Sequence, residues 1–192
     1  MMELTEAIRK RRSVRRYREE PVPEEVLREL LELACWAPSA ENEQPWYFVA
    51  LTSEEELRNL QTTMEQVAEK TKLHLEELLP KHPRIVGQTT EFLRRLGGAP
   101  VCILVFLQRD YGELRDSMLE STAAAIQTLL LAAKERDLGT CWINAATHLG
   151  YGPVLRELYA PDKGELVSIV TLGHPERTPI AAGRKPDRFV IR

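Results

Sequence analysis

A run of basic side chains near the N-terminus is the first stretch that could do chemistry. Residues 11–17 read Arg-Arg-Ser-Val-Arg-Arg-Tyr, with four arginines and one serine in seven positions. Guanidinium groups offer paired donors that match phosphate oxygens, and a serine hydroxyl adds a neutral donor beside them. A solvated basic face, or a sequence-blind contact to nucleic acid, produces the same pattern and is its commoner origin. The run indicates a candidate phosphate site, with these alternatives open.

A second candidate is a polar loop bounded by two prolines. Residues 38–46 read Pro-Ser-Ala-Glu-Asn-Glu-Gln-Pro-Trp. The side chains of Ser39, Asn42 and Gln44 can bond backbone groups or meet the edge of a planar heterocycle. For any single loop of this kind, a simple connection between a helix and a strand is the commoner explanation. We expect a rigid loop that leads into a strand over residues 46–51.

The elements around these candidates follow from hydrophobic periodicity. Pro23 and the acidic residues after it predict a helix that ends before Pro38. Residues 101–107 are continuously apolar, which predicts a central strand buried on both faces. Residues 117–136 predict a long helix, apolar almost all round, that packs in the core or against a two-fold partner. A final strand is expected at 189–191, paired elsewhere in the fold or on a second subunit.

The section between residues 53 and 96 predicts helices without defining their role. Ser53 and Glu56 form a capping box that opens a helix. Helical composition then continues up to a break near Pro83 and resumes beyond it. This excursion suits either a mobile cover over a site or an arm at an interface, and both interpretations stay open.

The composition is typical of one globular domain and excludes some classes of partner. The chain has 192 residues, of which 43% are hydrophobic and 29% charged, and its net charge is −3. A general nucleic-acid binder carries a basic excess over the whole domain, so the local basic run favours a discrete anion. The longest apolar run, residues 101–107, is too short to cross a bilayer, and the N-terminus has no apolar signal core. We expect one cytoplasmic domain over residues 1–192.

Neither a metal site nor a catalytic nucleophile is indicated. No metal-ligand spacing relates the four histidines, which are His74, His82, His148 and His174. The three cysteines stand singly among apolar neighbours, as small buried hydrophobes do in a reducing compartment. They are Cys35, Cys102 and Cys141.

Six short motifs occur along nearly the whole chain. They are Arg-Arg-Ser-Val-Arg at 11–15, Pro-Ser-Ala-x-Asn-x-Gln-Pro-Trp at 38–46, Ala-Pro-Val at 99–101, Leu-Gly-Thr-Cys-Trp-Ile at 138–143, Leu-Gly-His-Pro at 172–175 and Arg-Lys-Pro at 184–186. Each motif is weak alone. Together and in this order they resemble the nitroreductase family of flavin-dependent oxidoreductases.

The resemblance implies an α+β fold in which helices flank a central, mainly antiparallel sheet, assembled as an intertwined homodimer. It also implies two FMN sites at the subunit interface, with NADH or NADPH as the reductant. The basic residues at the two ends of the chain would hold the FMN phosphate, and the loop at 38–42 would reach the isoalloxazine bound mainly by the other subunit. The residues that match the family's cofactor-binding positions are Arg11, Arg12, Ser13, Arg15, Pro38, Ser39, Ala40, Asn42, Gln127, Gly139, Thr140, Gly173, Arg184 and Lys185.

The activity implied by the resemblance is hydride transfer from NAD(P)H through flavin N5 to an electron-poor small molecule such as a nitroaromatic or a quinone. Since the cofactor carries the chemistry, no catalytic side chain is expected. One alternative is a flavoenzyme of the same fold with another reaction, such as reductive dehalogenation or dehydrogenation. Another is a non-catalytic protein that binds flavin or nucleic acid. Under the main interpretation, neither nucleic acid nor a membrane is a partner.

Overall fold

The computed structural model describes residues 2–180 and 183–192. The helices of these residues are α1 Leu4–Lys10, α2 Glu24–Ala34, α3 Glu54–Leu78, α4 Pro83–Arg95, α5 Arg115–Glu135, α6 Ala145–His148 and α7 Gly152–Tyr159. The strands are β1 Trp46–Leu51, β2 Val101–Leu107, β3 Gly139–Ile143 and β4 Leu166–Gly173. Among the described helices, none combines the length and the apolar character needed to span a bilayer.

The sheet is antiparallel throughout, with the strands in the order β1-β2-β4-β3. Every residue of β2 is buried, as its apolar run predicts. Alternate side chains of β2 enter two separate cores, because successive residues of a strand point to opposite faces. Cys102, Leu104 and Phe106 enter one core and Val101, Ile103 and Val105 enter the other. The predicted α+β fold with a mainly antiparallel sheet is confirmed.

Helices cover both faces of this sheet. On one face α2 and α5 pack together around Leu30, Ile126 and Leu129, which are fully buried. On the other face α3 contributes Leu60 and Met64 to the second core, and α4 contributes Phe92 and Leu93. The outward face of α5 is only partly covered within one chain, so the helix is less enclosed than its composition predicts.

The excursion between β1 and β2 is a pair of long helices. The Glu56 N–H donates to Ser53 Oγ at 3.3 Å and the Ser53 hydroxyl donates to the Glu56 carboxylate at 2.9 Å, which confirms the capping box. The helix it opens, α3, is 25 residues long. Leu73 and Leu78, in its second half, are both 64% exposed. An exposed apolar end fits both interpretations of this section, a mobile cover over a site and an arm at an interface.

The C-terminal tail departs from the prediction of a strand. Residues 183–192 form no helix or strand and are exposed. Phe189, Val190 and Ile191 are 87%, 73% and 89% exposed. The prediction was wrong for a single chain, because a strand requires a neighbouring strand edge and the tail lies beside none. Pairing on a second subunit remains the other half of that prediction.

Candidate functional site

The N-terminal arginine run crosses one end of the sheet. Ser13 forms a parallel bridge with Thr140 of β3, and Tyr17 forms an antiparallel bridge with Pro175, just beyond β4. The Val14 N–H donates to the Thr140 carbonyl at 2.9 Å. These backbone contacts fix the run at both of its ends.

This crossing brings together predicted site residues from three separate motifs. Gly139, the first residue of β3, pairs with Gly173, the last residue of β4. Thr140 follows Gly139 and is the residue that bridges Ser13. Residues far apart in the chain, at positions 13, 139, 140 and 173, therefore share one corner of the sheet.

The glycines at this corner permit close approach of the chain. A Cβ atom added to Gly139 would lie 2.7 Å from Val14 Cγ2, and one added to Gly173 would lie 2.5 Å from Pro100 Cδ. Such distances are well inside van der Waals contact, so any larger residue displaces the arginine run at Val14 or the segment at Pro100, just before β2. The two predicted cofactor positions thus have an observed role in packing the site, and their contact with cofactor stays a prediction.

A third glycine gives a direct test of this packing. Gly97 has φ +68°, and a Cβ there would lie 2.6 Å from the Arg15 carbonyl oxygen. We expect Gly97→Ala to lower the free energy of unfolding by at least about 2 kcal/mol in urea denaturation, through strain and backbone clash. Gly87 is the control, because it lies inside α4 with open space around its Cα. Gly87→Ala should raise stability by up to about 1 kcal/mol, and equal midpoints for the two variants would refute the packing role.

Three predicted phosphate donors influence the pKa of one buried thiol. Burial raises the pKa of Cys141, while Arg15, a hydrogen bond with Ser13 and then Arg11 oppose that rise. The guanidinium carbon of Arg15 lies 5.8 Å from the centre of the Phe92 ring, which is within cation–π range. Arg11, Ser13 and Arg15 are therefore all close enough to this thiol to oppose the rise in its pKa.

Arg12 has a different setting from its neighbours. Its Nη1 donates to the Arg9 carbonyl at 2.8 Å and to the Arg11 carbonyl at 2.5 Å. These carbonyls lie at the C-terminal end of α1, where a cation satisfies unpaired acceptors and complements the helix dipole. The observed role of Arg12 is to cap α1, and its predicted contact with cofactor stays a prediction.

The cations at the crossing differ from many arginines elsewhere in the molecule. Within residues 2–180 and 183–192, neither Arg11 nor Arg15 forms an ion pair with a carboxylate. By contrast Arg94, Arg109 and Arg115 each pair with a glutamate at 3.1 Å or less. Two guanidinium groups and a hydroxyl held together without a compensating carboxylate form a site suited to an external anion.

The second candidate loop is a preformed, strained turn. Glu41, Asn42 and Gln44 have positive φ angles of 55°, 55° and 47°, which non-glycine residues rarely adopt. The Gln44 N–H donates to Ser39 Oγ at 3.0 Å, and Gln44 Nε2 donates to Asn42 Oδ1 at 3.1 Å. Strain of this kind persists only where the surroundings impose it, and it is concentrated at functional sites. The prediction of a rigid loop is supported by this geometry.

Two anchors that sequence reasoning missed hold this loop from outside. The Ala40 N–H donates to Ser121 Oγ of α5 at 3.1 Å. The Glu43 carboxylate pairs with Arg109, beyond β2, at 3.1 Å. Ser121 stands between Glu120 and Thr122, before the apolar residues 123–126 of α5, so it gave no distinctive signal. Arg109 gave none either, because its partner is remote in the sequence.

The two candidate segments lie at opposite corners of the sheet in one chain. Trp46, which follows the loop, pairs with Leu107 at the end of β2, whereas Leu172, beside Gly173, pairs with Val101 at its start. The corners are thus separated by about 20 Å along the strands and about 14 Å across them. This separation favours the expectation that the arginine run and the loop of one chain contact different cofactors.

The remaining predicted residues lie on exposed surfaces. Gln127 is exposed on α5, Pro38 is exposed at the start of the loop, and Arg184 and Lys185 are exposed in the tail. The structure does not join these residues to the crossing, and their cofactor contacts stay predictions. No cluster of metal-ligating side chains was found in the described part of the chain.

Comparison with known proteins identifies the family. The model of the nitroreductase family matches residues 8–174, and the chain belongs to that family. YfhC of Bacillus subtilis (strain 168), provisionally named an NAD(P)H nitroreductase, is 31% identical, covering 97% of this chain and 92% of its own length. The 4-nitrobenzoate reductase of Nocardioides sp. (strain LMS-CY) is 33% identical, covering 95% and 87%.

Two further similar proteins are an enzyme named for a different reaction and a protein with a solved structure. The 5,6-dimethylbenzimidazole synthase of Rhodobacter capsulatus is 32% identical, covering 91% of this chain and 84% of its own length. A protein of Desulfovibrio desulfuricans, provisionally described as a nitroreductase and solved in complex with FMN, is 29% identical with a TM-score of 0.69. That similarity covers 97% of this chain and 94% of the solved chain. The predicted family is therefore confirmed.

Proposed function

We propose that the protein is an FMN-dependent oxidoreductase that transfers hydride from NADH or NADPH to an electron-poor acceptor such as a nitroaromatic or a quinone. The observation that carries the proposal is the unpaired set of Arg11, Ser13 and Arg15 on the sheet corner. Family membership and the FMN complex of the Desulfovibrio desulfuricans protein support it. FMN, held by these residues, would supply the redox chemistry as a hydride carrier between the dinucleotide and the acceptor.

The donor set of the crossing fits the phosphate of FMN. A phosphate monoester carries close to two negative charges near neutral pH, and two guanidinium groups neutralise it with paired hydrogen bonds. Arg11 and Arg15 supply these groups, and Ser13 adds a hydroxyl donor. The Val14–Thr140 hydrogen bond keeps the backbone between them in place. Arg184 and Lys185 of the tail would add positive charge beside the phosphate.

The loop from residue 38 to residue 42 would meet the isoalloxazine. Ser39 Oγ and Asn42 Oδ1 both accept hydrogen bonds from Gln44, so their acceptor positions are already engaged. The Ser39 hydroxyl and the Asn42 amide then serve as donors toward ring carbonyls. Because the loop lies at the corner of the sheet opposite the arginine run, one complete site requires two chains.

A groove beside β1 provides a place for the second chain. Its volume is about 770 Å³, and its lining includes Leu27 and Leu31 of α2 and Trp46 and Phe48 of β1. Glu24, Arg28 and Glu32 also line the groove, and Arg28 pairs with Glu24 at 2.7 Å. Among the described strands β1 pairs only with β2, so its outer edge is available for backbone hydrogen bonds.

The tail of a second copy is the occupant that we propose for this groove. Phe189, Val190 and Ile191 are apolar and exposed, and in an added strand Phe189 and Ile191 would point to the same face. Arg188 and Arg192 flank these residues directly and are opposite in sign to Glu32 of the groove. We therefore propose that the groove holds the partner's tail in an intertwined homodimer.

The proposal is tested with purified protein incubated with FMN and desalted. Retention of flavin absorbance, bleaching on anaerobic addition of NADH or NADPH, and recovery of colour on addition of a nitroaromatic or quinone are the expected results. A protein that retains no FMN and instead shifts in mobility with an oligonucleotide would overturn the proposal.

A second reaction class has specific support from the synthase of Rhodobacter capsulatus, which resembles this chain as closely as the reductases do. If the chain belongs to this second class, it would bind FMN, and the flavin absorbance would bleach on addition of NADH or NADPH. It would then transfer no hydride to nitroaromatics or quinones. Turnover of halogenated phenols alone would then indicate reductive dehalogenation. Consumption of oxygen with a heterocyclic substrate would indicate dehydrogenation.

A further inference from the structure

A buried tyrosine hydroxyl links the arginine run to the interior of the sheet. Tyr17 is 8% exposed, and its hydroxyl lies 2.8 Å from the Val14 carbonyl oxygen and 2.7 Å from Thr171 Oγ1. A carbonyl can only accept, so the Tyr17 hydroxyl donates to Val14 and the Thr171 hydroxyl donates to Tyr17. Burial raises the pKa of Tyr17 far above its usual range, so the hydroxyl stays protonated and remains a donor.

This hydrogen bond acts on the peptide between two site residues. The Val14 N–H is held by the Thr140 carbonyl at 2.9 Å, and the Val14 carbonyl is held by Tyr17 at 2.8 Å. Val14 lies between Ser13 and Arg15, and the planar peptide couples its carbonyl to the Arg15 N–H. Fixing both backbone groups of Val14 therefore sets the directions in which Ser13 and Arg15 leave the chain.

Thr171 makes this arrangement a link to the central sheet. It lies on β4, pairs with Cys102 of β2 on one side and with Cys141 of β3 on the other, and is fully buried. The hydroxyl that supports Tyr17 thus belongs to an inner strand. A loop residue held in this way gains the rigidity of the strand, which lowers the entropy lost when a ligand binds.

We infer that Tyr17 and Thr171 are positioning residues of the phosphate site, which hold Ser13 and Arg15 in the directions needed to bind the phosphate of FMN. The inference rests on the proposed function. The two hydroxyl groups contribute to FMN affinity through the backbone of Val14, although neither contacts the ligand. Their effect should depend on the phosphate and be absent for a flavin that lacks one.

The test compares FMN with riboflavin in fluorescence titrations of the apoprotein. Tyr17→Phe and Thr171→Val are each expected to raise the Kd for FMN roughly three- to tenfold, the range of one lost hydrogen bond. The Kd for riboflavin should be unchanged, because it makes no phosphate contact. Thr171→Ser keeps the hydroxyl and should restore FMN binding. In the double variant Tyr17→Phe with Thr171→Val, the Kd for FMN should rise by less than the product of the two single factors.

Tyr159→Phe is the matched control. The Tyr159 hydroxyl donates to the Glu56 carbonyl at 3.3 Å, away from the crossing, so its removal should leave both affinities unchanged. Equal increases in Kd for FMN and riboflavin, or no increase for either, would overturn the inference. If the wild-type protein still binds FMN in that case, the proposed function stands. A wild-type protein that binds neither flavin would refute the function itself. If Tyr17→Phe does not fold, the Val and Ser variants at position 171 decide the question.

Discussion

The double substitution Arg11→Ala and Arg15→Ala is expected to yield colourless protein that binds FMN at least about a hundredfold more weakly than the wild type. A hydrogen bond to a charged group contributes about 1.5–3 kcal/mol, and both guanidinium groups are lost together. Neither arginine has a carboxylate partner among the described residues, so their removal breaks no ion pair of the fold. The measurement is a titration of apoprotein with FMN, followed by flavin fluorescence.

The control for this prediction removes the same two charges from the same segment. Arg9 and Arg16 are exposed and lie on either side of the site residues. Arg9→Ala with Arg16→Ala should reduce FMN affinity only slightly, since distant exposed charges are screened by salt. A fully loaded Arg11/Arg15 variant would show that the phosphate lies elsewhere. Equal losses in the two double variants would show that net charge, rather than a specific site, determines binding.

The double substitution Phe189→Asp and Ile191→Asp is expected to convert the proposed dimer into a monomer. In that dimer, burial of each apolar side chain in the groove beside β1 would contribute about 1.5–3 kcal/mol, and a buried unpaired carboxylate would add a further penalty. The dimer dissociation constant should therefore rise by a factor of about a thousand or more. Sedimentation velocity gives the mass, and flavin absorbance in the same run shows whether FMN leaves with the partner.

Exposed apolar residues away from the tail provide the comparison. Val154 and Leu158 of α7 are 49% and 59% exposed. Val154→Asp with Leu158→Asp introduces the same charges on a surface with no assigned partner, and the dimer should persist. A wild-type monomer that retains FMN would contradict the two-chain site. A tail variant that stays dimeric would show that the groove is not where the partner binds.

Much of the fold could be predicted because its signals are local. The capping box at Ser53, the prolines at 23 and 83 and the continuous apolar run of β2 each define an element through nearby residues alone. The helix α6 was missed, since four residues at 145–148 are too few to show a period. The tail was assigned a strand from its apolar residues, but strand formation also depends on an edge that no local pattern specifies.

The candidate site was less accessible to prediction than the fold. Its residues were identified through a resemblance to a family, which names positions without giving their geometry. The structure shows that Arg12 caps α1, and it shows that Gly139 and Gly173 allow the chain to cross. Tyr17 and Ser121 form hydrogen bonds with residues more than eighty positions away in the sequence. Contacts of that kind have no periodic signature in a sequence.

The sequence by itself determined the class of fold, the family and the kinds of side chain available for an anion site, because composition, caps and motifs are properties of neighbouring residues. Tertiary structure alone decided that Ser13 meets Thr140 and that the arginines there are left without carboxylates. It also decided that the loop at 38–42 lies at the opposite corner of the sheet. The reason is physical: strand order and chain crossings arise from packing between distant segments, and only that packing places the arginine run and the loop at opposite corners of the sheet.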